Sequence, residues 1–197
     1  MSRLIFVRHA ETDMAGTFCG HSDPELNERG RAQLASLIDR LKINRLRGET
    51  FHKVFTSDLS RARQTAHAIS SHFGVEVIER PGLREIHFGE WEGLSWSEVE
   101  SRNPAWAKRW ILEYPKLPAP AGETFQNFEV RVHRETEFLL QQAAQVPLLV
   151  VTHAGFLRVA LARRYVGAKK ETLAATPDYA AVISTDSQAL ALSTGLV

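Results

Sequence analysis

The sequence predicts an α/β protein, a single domain with a mostly parallel sheet and helices on both faces. Two short apolar runs, at 4–7 and 147–151, have no polar interruption and are typical of strands buried on both faces. Segments with helical spacing of apolar residues lie between the strand candidates. Because alternating strands and helices form parallel sheets, these patterns favour one α/β domain over residues 1–197.

The first helix is predicted to follow a long polar segment. Residues 12–27 are rich in turn-forming residues and are long for a connection in a compact domain, which favours a functional loop. A helix should begin near Asn27 or Glu28, because apolar residues then recur at helical spacing: Leu34, Leu37, Ile38 and Leu41.

The next strands and helices are marked by caps and short apolar runs. Residues 52–57 and 75–78 read as strands, and the helix between them should begin at Ser57 or Asp58 and end at Gly74. Asn103 and Pro104 should begin another helix, and Thr124 should cap a long one. A strand at 148–152 and a helix from about 155 to 166 should follow. Two short strands on either side of Asp186 and Ser187, as a terminal hairpin or as two edge strands, should complete the domain.

Residues 83–123 are less regular and are predicted to form a small helical and loop cap. The stretch 83–93 mixes charges, aromatic residues and glycines, and 114–123 is rich in proline. Trp106 and Trp110 should share one face of the intervening helix.

Composition excludes several broad classes of protein. The chain has 197 residues, is 44% hydrophobic and carries a net charge of +1, so neither nucleic acid nor an acidic membrane is an expected partner. The single cysteine, Cys19, fits a reducing compartment. Because no signal peptide and no membrane span are recognisable, we expect a cytoplasmic protein.

Two histidines stand out because each follows a buried strand. His9 ends the first apolar run and His153 ends the later one. Since ligands of parallel sheets bind beyond the carboxyl ends of strands, both histidines are predicted to lie in one site. The other histidines are read as ordinary surface or core residues: His21, His52, His67, His72, His87 and His133.

Three kinds of site fit the sequence poorly. Metal-ligand spacings such as HExxH or CxxC are absent, and the guanidinium of Arg8 beside His9 would repel a cation, so we expect neither a metal nor another cofactor. Phosphate-binding glycine loops of the GxxxxGK[ST] and GxGxxG types are also absent. A serine hydrolase would need a GxSxG elbow, which the chain lacks.

An anion site fits better. Arg61 is predicted in the first turn of a helix, where backbone N–H groups also favour a negative ligand. Together with Arg8, His9 and His153 it would form a positive pocket for a small phosphate ester. An alkoxide leaving group needs a proton donor, and spacing leaves three candidates in the aromatic loop: Glu85, Glu90 and Glu92.

Four blocks in order resemble the histidine phosphatase superfamily, which has the phosphoglycerate-mutase-like fold. Its RHG signature is similar to Arg8-His9-Ala10, and the other blocks are similar to SDLSRARQT at 57–65, LREIHFGEWEG at 83–93 and THAGFLR at 152–158. The resemblance implies that His9 is the phosphoryl acceptor and Glu85 the acid. It also implies that the phosphate ester is held by Arg8, Arg61, His153, Ala154, Thr12 and Gly20.

The chain departs from the family pattern at two places. Ala10 stands where the signature has glycine, so positive φ is disfavoured there, although a methyl group is small enough to keep activity. Ala15 lies where many members have an asparagine that contacts phosphate, and Thr17 or a backbone amide is expected to compensate.

Within the family, 83–93, the tryptophan helix and 118–132 look most like α-ribazole phosphatase, which acts in cobalamin biosynthesis. The resemblance therefore implies hydrolysis of α-ribazole 5′-phosphate. Alternatives are a broad-specificity or sugar-phosphate phosphatase, a phosphoglycerate-mutase-type enzyme, and a non-catalytic domain that binds a phosphorylated ligand. Monomer and homodimer both remain open.

Overall fold

The computed structural model of the chain describes residues 3–162 and 177–186. Five strands form one sheet in the order β3-β2-β4-β1-β5, in which β5 is antiparallel to β1 and the other pairs are parallel. The strands are β1 (Arg3–Arg8), β2 (Lys53–Thr56), β3 (Glu76–Glu79), β4 (Leu148–Thr152) and β5 (Val182–Asp186). The predicted α/β fold with a mostly parallel sheet is confirmed.

The register of β1 and β4 brings the two histidines to the same edge. Arg8 pairs with Thr152, so that His9 and His153 are the next residues of adjacent parallel strands. The backbone N–H of His9 donates to the carbonyl of Thr152 at 3.0 Å, which extends the pairing by one residue. The predicted meeting of His9 and His153 is therefore confirmed.

Helices cover both faces of the sheet, as predicted. The helices are α1 (Glu28–Leu46), α2 (Ser60–Phe73), α3 (Trp96–Arg102), α4 (Pro104–Glu113), α5 (Phe125–Ala143) and α6 (Ala154–Ala162). Leu4 and Phe6 of β1 pack in a core with α5 and α6, and Ile5 and Val7 pack on the other face with α1 and α2. Among the described residues, no helix is both long and apolar enough to cross a membrane.

Most predicted helix caps are present. The Asn27 side chain accepts from Gly30 N at 2.7 Å, and the Thr124 hydroxyl accepts from Asn127 N at 3.2 Å. Gly74 ends α2 in the left-handed conformation, with a φ of 67°. Each cap satisfies a terminal backbone group that the helix itself leaves unpaired.

The predicted N-cap of α2 was wrong. Leu59 occupies the cap position and makes no side-chain cap bond, because the Asp58 carboxylate instead forms a bidentate pair with Arg84. Asp23, from the loop before α1, takes over the capping role: its carboxylate accepts from the Ser60 backbone N–H and, at 2.9 Å, from the Ser60 hydroxyl. Tertiary structure therefore supplies a cap that local sequence did not indicate.

Residues 83–123 contain α3, α4 and a tight turn at Gly89–Trp91. Trp106 and Trp110 both pack in an aromatic cluster with Phe18, Phe88 and Trp91, which agrees with the predicted shared face. The assignment of this region as a cap stays a prediction. At the C-terminal side, 182–186 forms β5. The second of the two predicted terminal strands, and the part of the predicted helix at 155–166 that follows Ala162, lie outside the described residues.

Candidate active site

The imidazole of His9 is fixed by hydrogen bonds at both ring nitrogens. Nδ1 lies 2.7 Å from the carbonyl oxygen of Ala10, and Nε2 lies 3.3 Å from Nε of Arg61. A carbonyl can only accept and a guanidinium can only donate, so Nδ1 carries the proton and Nε2 presents its lone pair. This is the tautomer that a nucleophile acting through Nε2 requires.

The surroundings of His9 also keep the ring neutral. Burial holds the pKa of His9 well below its ordinary value, and the positive charges of Arg61 and Arg8 lower the pKa further. The hydrogen bond to Ala10 acts in the opposite direction but is outweighed. The Nε2 lone pair is therefore available at neutral pH.

Arg61 is fully buried, and the long loop before α1 holds it in place. Its Nη1 donates to Ser22 O at 2.7 Å, and its Nη2 donates to Gly20 O at 2.7 Å and to Cys19 O at 3.3 Å. These contacts hold residues 19–22 of the loop against the guanidinium. The N-terminus of α2 contributes less to anion binding than predicted, since the Ser60 N–H is already bonded to Asp23.

Arg8 is held by residues that no sequence motif indicated. Its guanidinium carbon lies 3.7 Å from the ring centroid of Tyr179, and Nη1 donates to Pro177 O. Burial lowers the pKa of Arg8, while the neighbouring Tyr179 and Glu85 partly raise it again. Tyr179 lies outside the four blocks that resemble the family, the last of which ends at residue 158, so the sequence held no signal for it.

His153 lies against His9, with the ring centroids 5.0 Å apart. Burial lowers the pKa of His153 well below its ordinary value, and the charge of Arg61 and the neighbouring His9 lower it further. Within the described part of the chain, both ring nitrogens are buried without a hydrogen-bond partner, and Nε of Arg8 is in the same condition. Buried polar atoms without partners are uncommon, so their grouping here is typical of a ligand site.

The structure separates the three acid candidates. Glu85 is 8% exposed, and its Oε2 accepts from Gly155 N at 2.8 Å, at the start of α6 beside His153. An ideal Cβ at Gly155 would lie 2.1 Å from Oε1 of Glu85, so only glycine allows this approach. Glu90 is exposed at the surface.

The Glu92 carboxylate is instead bound by backbone N–H groups of the protein. Its carboxylate accepts four backbone N–H bonds of 2.8–3.0 Å, from Gly20, His21, Ser22 and Phe88. Burial alone would raise the pKa of Glu92, but these donors outweigh burial and lower the pKa. A carboxyl group held in its ionised form is a poor proton donor, so the geometry favours Glu85.

The remaining predicted contacts are arranged around these groups. Ala154 begins α6 directly after His153. The N–H of Gly20 donates to the Glu92 carboxylate, and the carbonyl of Gly20 accepts from Arg61. The Thr12 hydroxyl is buried and accepts from Met14 N at 3.3 Å. Roles of Ala154, Thr12 and Gly20 in substrate binding stay predictions.

The two departures from the family pattern fit the local structure. Ala10 is not among the residues with positive φ, and its N–H donates to the Thr65 hydroxyl at 3.1 Å, so glycine is not needed there. Thr17 donates its hydroxyl to Met14 O at 2.8 Å, beside Ala15. A contact between Thr17 and phosphate stays a prediction.

A cavity of about 680 Å³ opens beside Glu85 and Gly155. Charged and polar residues at its wall include His87, Glu123 and Arg158. Most of the remaining wall is apolar and aromatic, formed by residues that include Phe18, Phe88, Trp110, Tyr114, Phe125 and Phe128. In residues 3–162 and 177–186, histidines, cysteines and carboxylates form no cluster of three or more that could hold a metal ion.

Known proteins resemble this chain over most of its length. A metal-independent phosphoserine phosphatase from Arabidopsis thaliana is 33% identical over 80% of this chain and 66% of its own length, slightly less than two thirds. An adenosylcobalamin/alpha-ribazole phosphatase from Salmonella typhimurium is 32% identical over 82% of this chain and 78% of its own. The crystal structure of the alpha-ribazole phosphatase from Shigella flexneri superposes with a TM-score of 0.80 at 28% identity, over 93% of this chain and 90% of that one.

The family assignment agrees with the site geometry. The family model described as histidine phosphatase superfamily (branch 1) matches residues 4–187, a range that contains His9, Arg61, Glu85 and His153. The chain belongs to the histidine phosphatase superfamily.

Proposed function

We propose that the chain hydrolyses a small phosphate monoester through a phosphohistidine intermediate on His9. Nε2 of His9 attacks phosphorus as the bond to the leaving oxygen breaks, and Glu85 protonates that oxygen. Glu85, now ionised, takes a proton from water as the water attacks the phosphohistidine. Phosphate leaves, and His9 and Glu85 return to their starting states.

The observation that carries this proposal is the position of the unpartnered buried nitrogens. Nε of Arg8 and both ring nitrogens of His153 lie around His9, and within the described residues they have no partner. A phosphoryl oxygen would supply acceptors for the N–H donors among them. Arg61 also keeps a donor for this purpose, because a guanidinium carries more N–H groups than its contacts with His9 and the loop use.

Charge neutralisation is then the main contribution of the protein. Phosphoryl transfer depends mostly on positioning and on stabilising charge as it moves over the oxygens. Arg8 and Arg61 supply fixed positive charge beside a neutral nucleophile. We propose that no metal or other cofactor is needed for this chemistry.

The test is hydrolysis of an aryl phosphate by the wild-type chain and by His9→Ala, each with and without EDTA. The proposal requires activity that survives EDTA and is lost in the variant. Activity that requires an added metal, or that persists fully in folded His9→Ala, would contradict it.

For the substrate, we propose α-ribazole 5′-phosphate. The cavity beside Glu85 supports this choice, because it is large and lined mainly by aromatic and apolar side chains that could stack on a flat base. Relatives named alpha-ribazole phosphatase add support. A leaving group in this cavity would have its oxygen next to Glu85.

A second candidate is phosphoserine or another small polar phosphate ester. It is favoured by the Arabidopsis thaliana relative and by the charged groups at the cavity wall, Arg158 and Glu129. A comparison of kcat/KM for α-ribazole 5′-phosphate, phosphoserine, phosphoglycerates, fructose bisphosphate and nucleotides separates the candidates. A preference for phosphoserine would contradict the α-ribazole proposal, and phosphoryl transfer between phosphoglycerates would indicate a mutase.

The cellular location of the protein and its macromolecular partners are predicted from composition. We propose a cytoplasmic phosphatase without nucleic-acid or membrane partners, because the net charge is +1 and the chain has a single cysteine. Activity of the clarified cell lysate against that of the membrane fraction would test the location.

A further inference from the structure

Arg131 on α5 contacts the segment that carries Glu85. Its Nη1 donates to the carbonyl oxygens of Gly82 at 3.0 Å and Arg84 at 2.8 Å, and its Nη2 donates to the carbonyl of Glu85 itself at 3.2 Å. The side chain is 17% exposed. A single guanidinium therefore holds three carbonyl groups of one short, irregular segment.

Glu123 orients this guanidinium and extends the same network past Glu85. Its carboxylate accepts from Nε of Arg131 at 3.1 Å and from Nη2 at 2.7 Å. The same carboxylate accepts from His87 N at 3.3 Å, and Glu123 N donates to His87 O at 2.9 Å. The backbone is thus tied down on both sides of Glu85, two residues after it as well as before it.

The segment needs such support because it has no regular secondary structure of its own. Between the turn at Pro81–Leu83 and the turn at Gly89–Trp91, no helix or strand fixes the backbone. His21 makes one further contact, in which Nε2 donates to the Glu85 carbonyl at 3.0 Å. The Glu85 carboxylate is oriented by Ile86 N and Gly155 N only if this backbone is in place.

We propose that Arg131, oriented by Glu123, is a positioning residue that fixes Glu85 as the proton donor for the leaving group. The proposal rests on the proposed role of Glu85. Arg131 touches backbone rather than the reacting atoms, so it acts through the geometry of the acid. Its loss should matter most for substrates whose leaving oxygen needs a proton.

The chain offers a matched control on the same helix. Arg80 pairs with Glu135 of α5 through Nε at 2.7 Å and Nη2 at 3.2 Å, one helical turn from Arg131. Both pairs tie α5 to the region after β3, and both are largely buried. Of the two pairs, Arg131 and Glu123 hydrogen-bond to the backbone around Glu85, whereas the described bonds of the Arg80 and Glu135 side chains are to each other, so Arg80→Met tests the general effect of losing a buried pair.

The experiment measures kcat/KM for an aryl phosphate and an alkyl phosphate in wild type, Arg131→Met, Glu123→Gln, Arg80→Met and Glu85→Gln, because kcat/KM reports only the steps up to loss of the leaving group and not the later attack of water. A positioned acid contributes roughly 10²–10⁴-fold, so misplacing it should lower kcat/KM for the alkyl ester by about 10-fold to 100-fold and for the aryl ester by only about 2-fold. Arg80→Met should change both rates equally. Glu123→Gln keeps the shape of the site and serves where Arg131→Met folds poorly.

The outcomes separate this proposal from the proposed function. Equal losses on both esters in Arg131→Met and Glu123→Gln, together with a selective loss in Glu85→Gln, would overturn the positioning role alone. The absence of a selective loss in Glu85→Gln would overturn the assignment of the acid. A selective loss in all three variants, with none in Arg80→Met, supports both.

Discussion

Nε of Arg61 donates a hydrogen bond to Nε2 of His9 across 3.3 Å. The contact joins the proposed phosphoryl-binding cation to the proposed nucleophile through the atom that would form the bond to phosphorus. Thr65 connects the same two elements, because it accepts from Ala10 N at 3.1 Å and donates to Arg61 O at 2.8 Å. The histidine and the arginine are therefore positioned as one unit, although they lie 52 residues apart in the chain.

Replacement of Arg61 should cost both activity and stability. Arg61→Ala removes a fixed charge from the transition state, and losses of roughly 10²–10³-fold in kcat are typical of such donors. It also leaves the buried Gly20 carbonyl and the partly buried Ser22 carbonyl without their donor, which costs up to about 1–3 kcal/mol per unsatisfied group. Kinetics and urea unfolding test this, with the exposed Arg63→Ala as the control. Similar effects of Arg61→Ala and Arg63→Ala would contradict the assignment of Arg61 to the site.

The buried neutral histidines should make stability depend on pH. The pKa values of His9 and His153 are lowered in the folded state, so below pH of about 6.5 the unfolded chain binds more protons. Above that pH, the two histidines should leave the free energy of unfolding unchanged. Below it, the free energy of unfolding should fall as pH decreases, by up to about 1.4 kcal/mol per pH unit for each histidine. Urea unfolding between pH 7.5 and 5.5 is the measurement. His153→Asn should flatten the dependence, and a wild-type profile without any decrease would count against buried neutral rings.

The close approach of Gly155 to Glu85 should make this position intolerant of a methyl group. Gly155→Ala would place Cβ about 2.1 Å from Oε1, so the carboxylate must move away from its position at the start of α6. Hydrolysis of alkyl esters should decrease by about 10-fold or more, a part of the contribution of a positioned acid. Thermal unfolding should not be impaired, because alanine favours a helix over glycine by up to about 1 kcal/mol. Unchanged alkyl-ester kinetics would show that the carboxylate need not occupy its observed position.

Tyr179 should matter through its ring rather than its hydroxyl. The ring lies 3.7 Å from the guanidinium carbon of Arg8, and such contacts contribute about 0.5–2 kcal/mol. Tyr179→Leu should therefore lower kcat/KM by about 2-fold to 30-fold through a less ordered Arg8. Tyr179→Phe keeps the stacked ring and should stay close to wild type. A larger loss in Tyr179→Phe than in Tyr179→Leu would point to the hydroxyl instead.

Parts of the site were predictable because they depend on local signals. A buried strand followed by His9, a second followed by His153, and the rule that parallel strands end at one edge suffice to bring these residues together. The role of Arg61 was predicted from the block at 57–65 that resembles the family. In each case the relevant information lies within about ten residues of the functional side chain or in the topology that the strand pattern implies.

Other parts depend on contacts between distant segments, which the pattern of one chain does not display. Spacing alone did not separate Glu85 from Glu92, and only the family resemblance singled out Glu85. The physical reason against Glu92 needs the loop at 20–22, which gives its carboxylate three backbone donors. Likewise, Asp23 caps α2 from before α1, and Arg131 reaches the segment around Glu85 from α5. Exposed-looking charges in the sequence thus have partners that only the tertiary structure brings close.

The central claim is that His9 accepts the phosphoryl group, and peptide mapping of the phosphoenzyme tests it most directly. Wild-type enzyme is mixed with excess aryl phosphate, quenched in alkali within milliseconds to preserve phosphohistidine, digested and analysed by mass spectrometry. We expect a phosphoryl group on the peptide that contains His9, and none on that peptide in His9→Ala. A phosphoryl group on His153 or on any other side chain would contradict it.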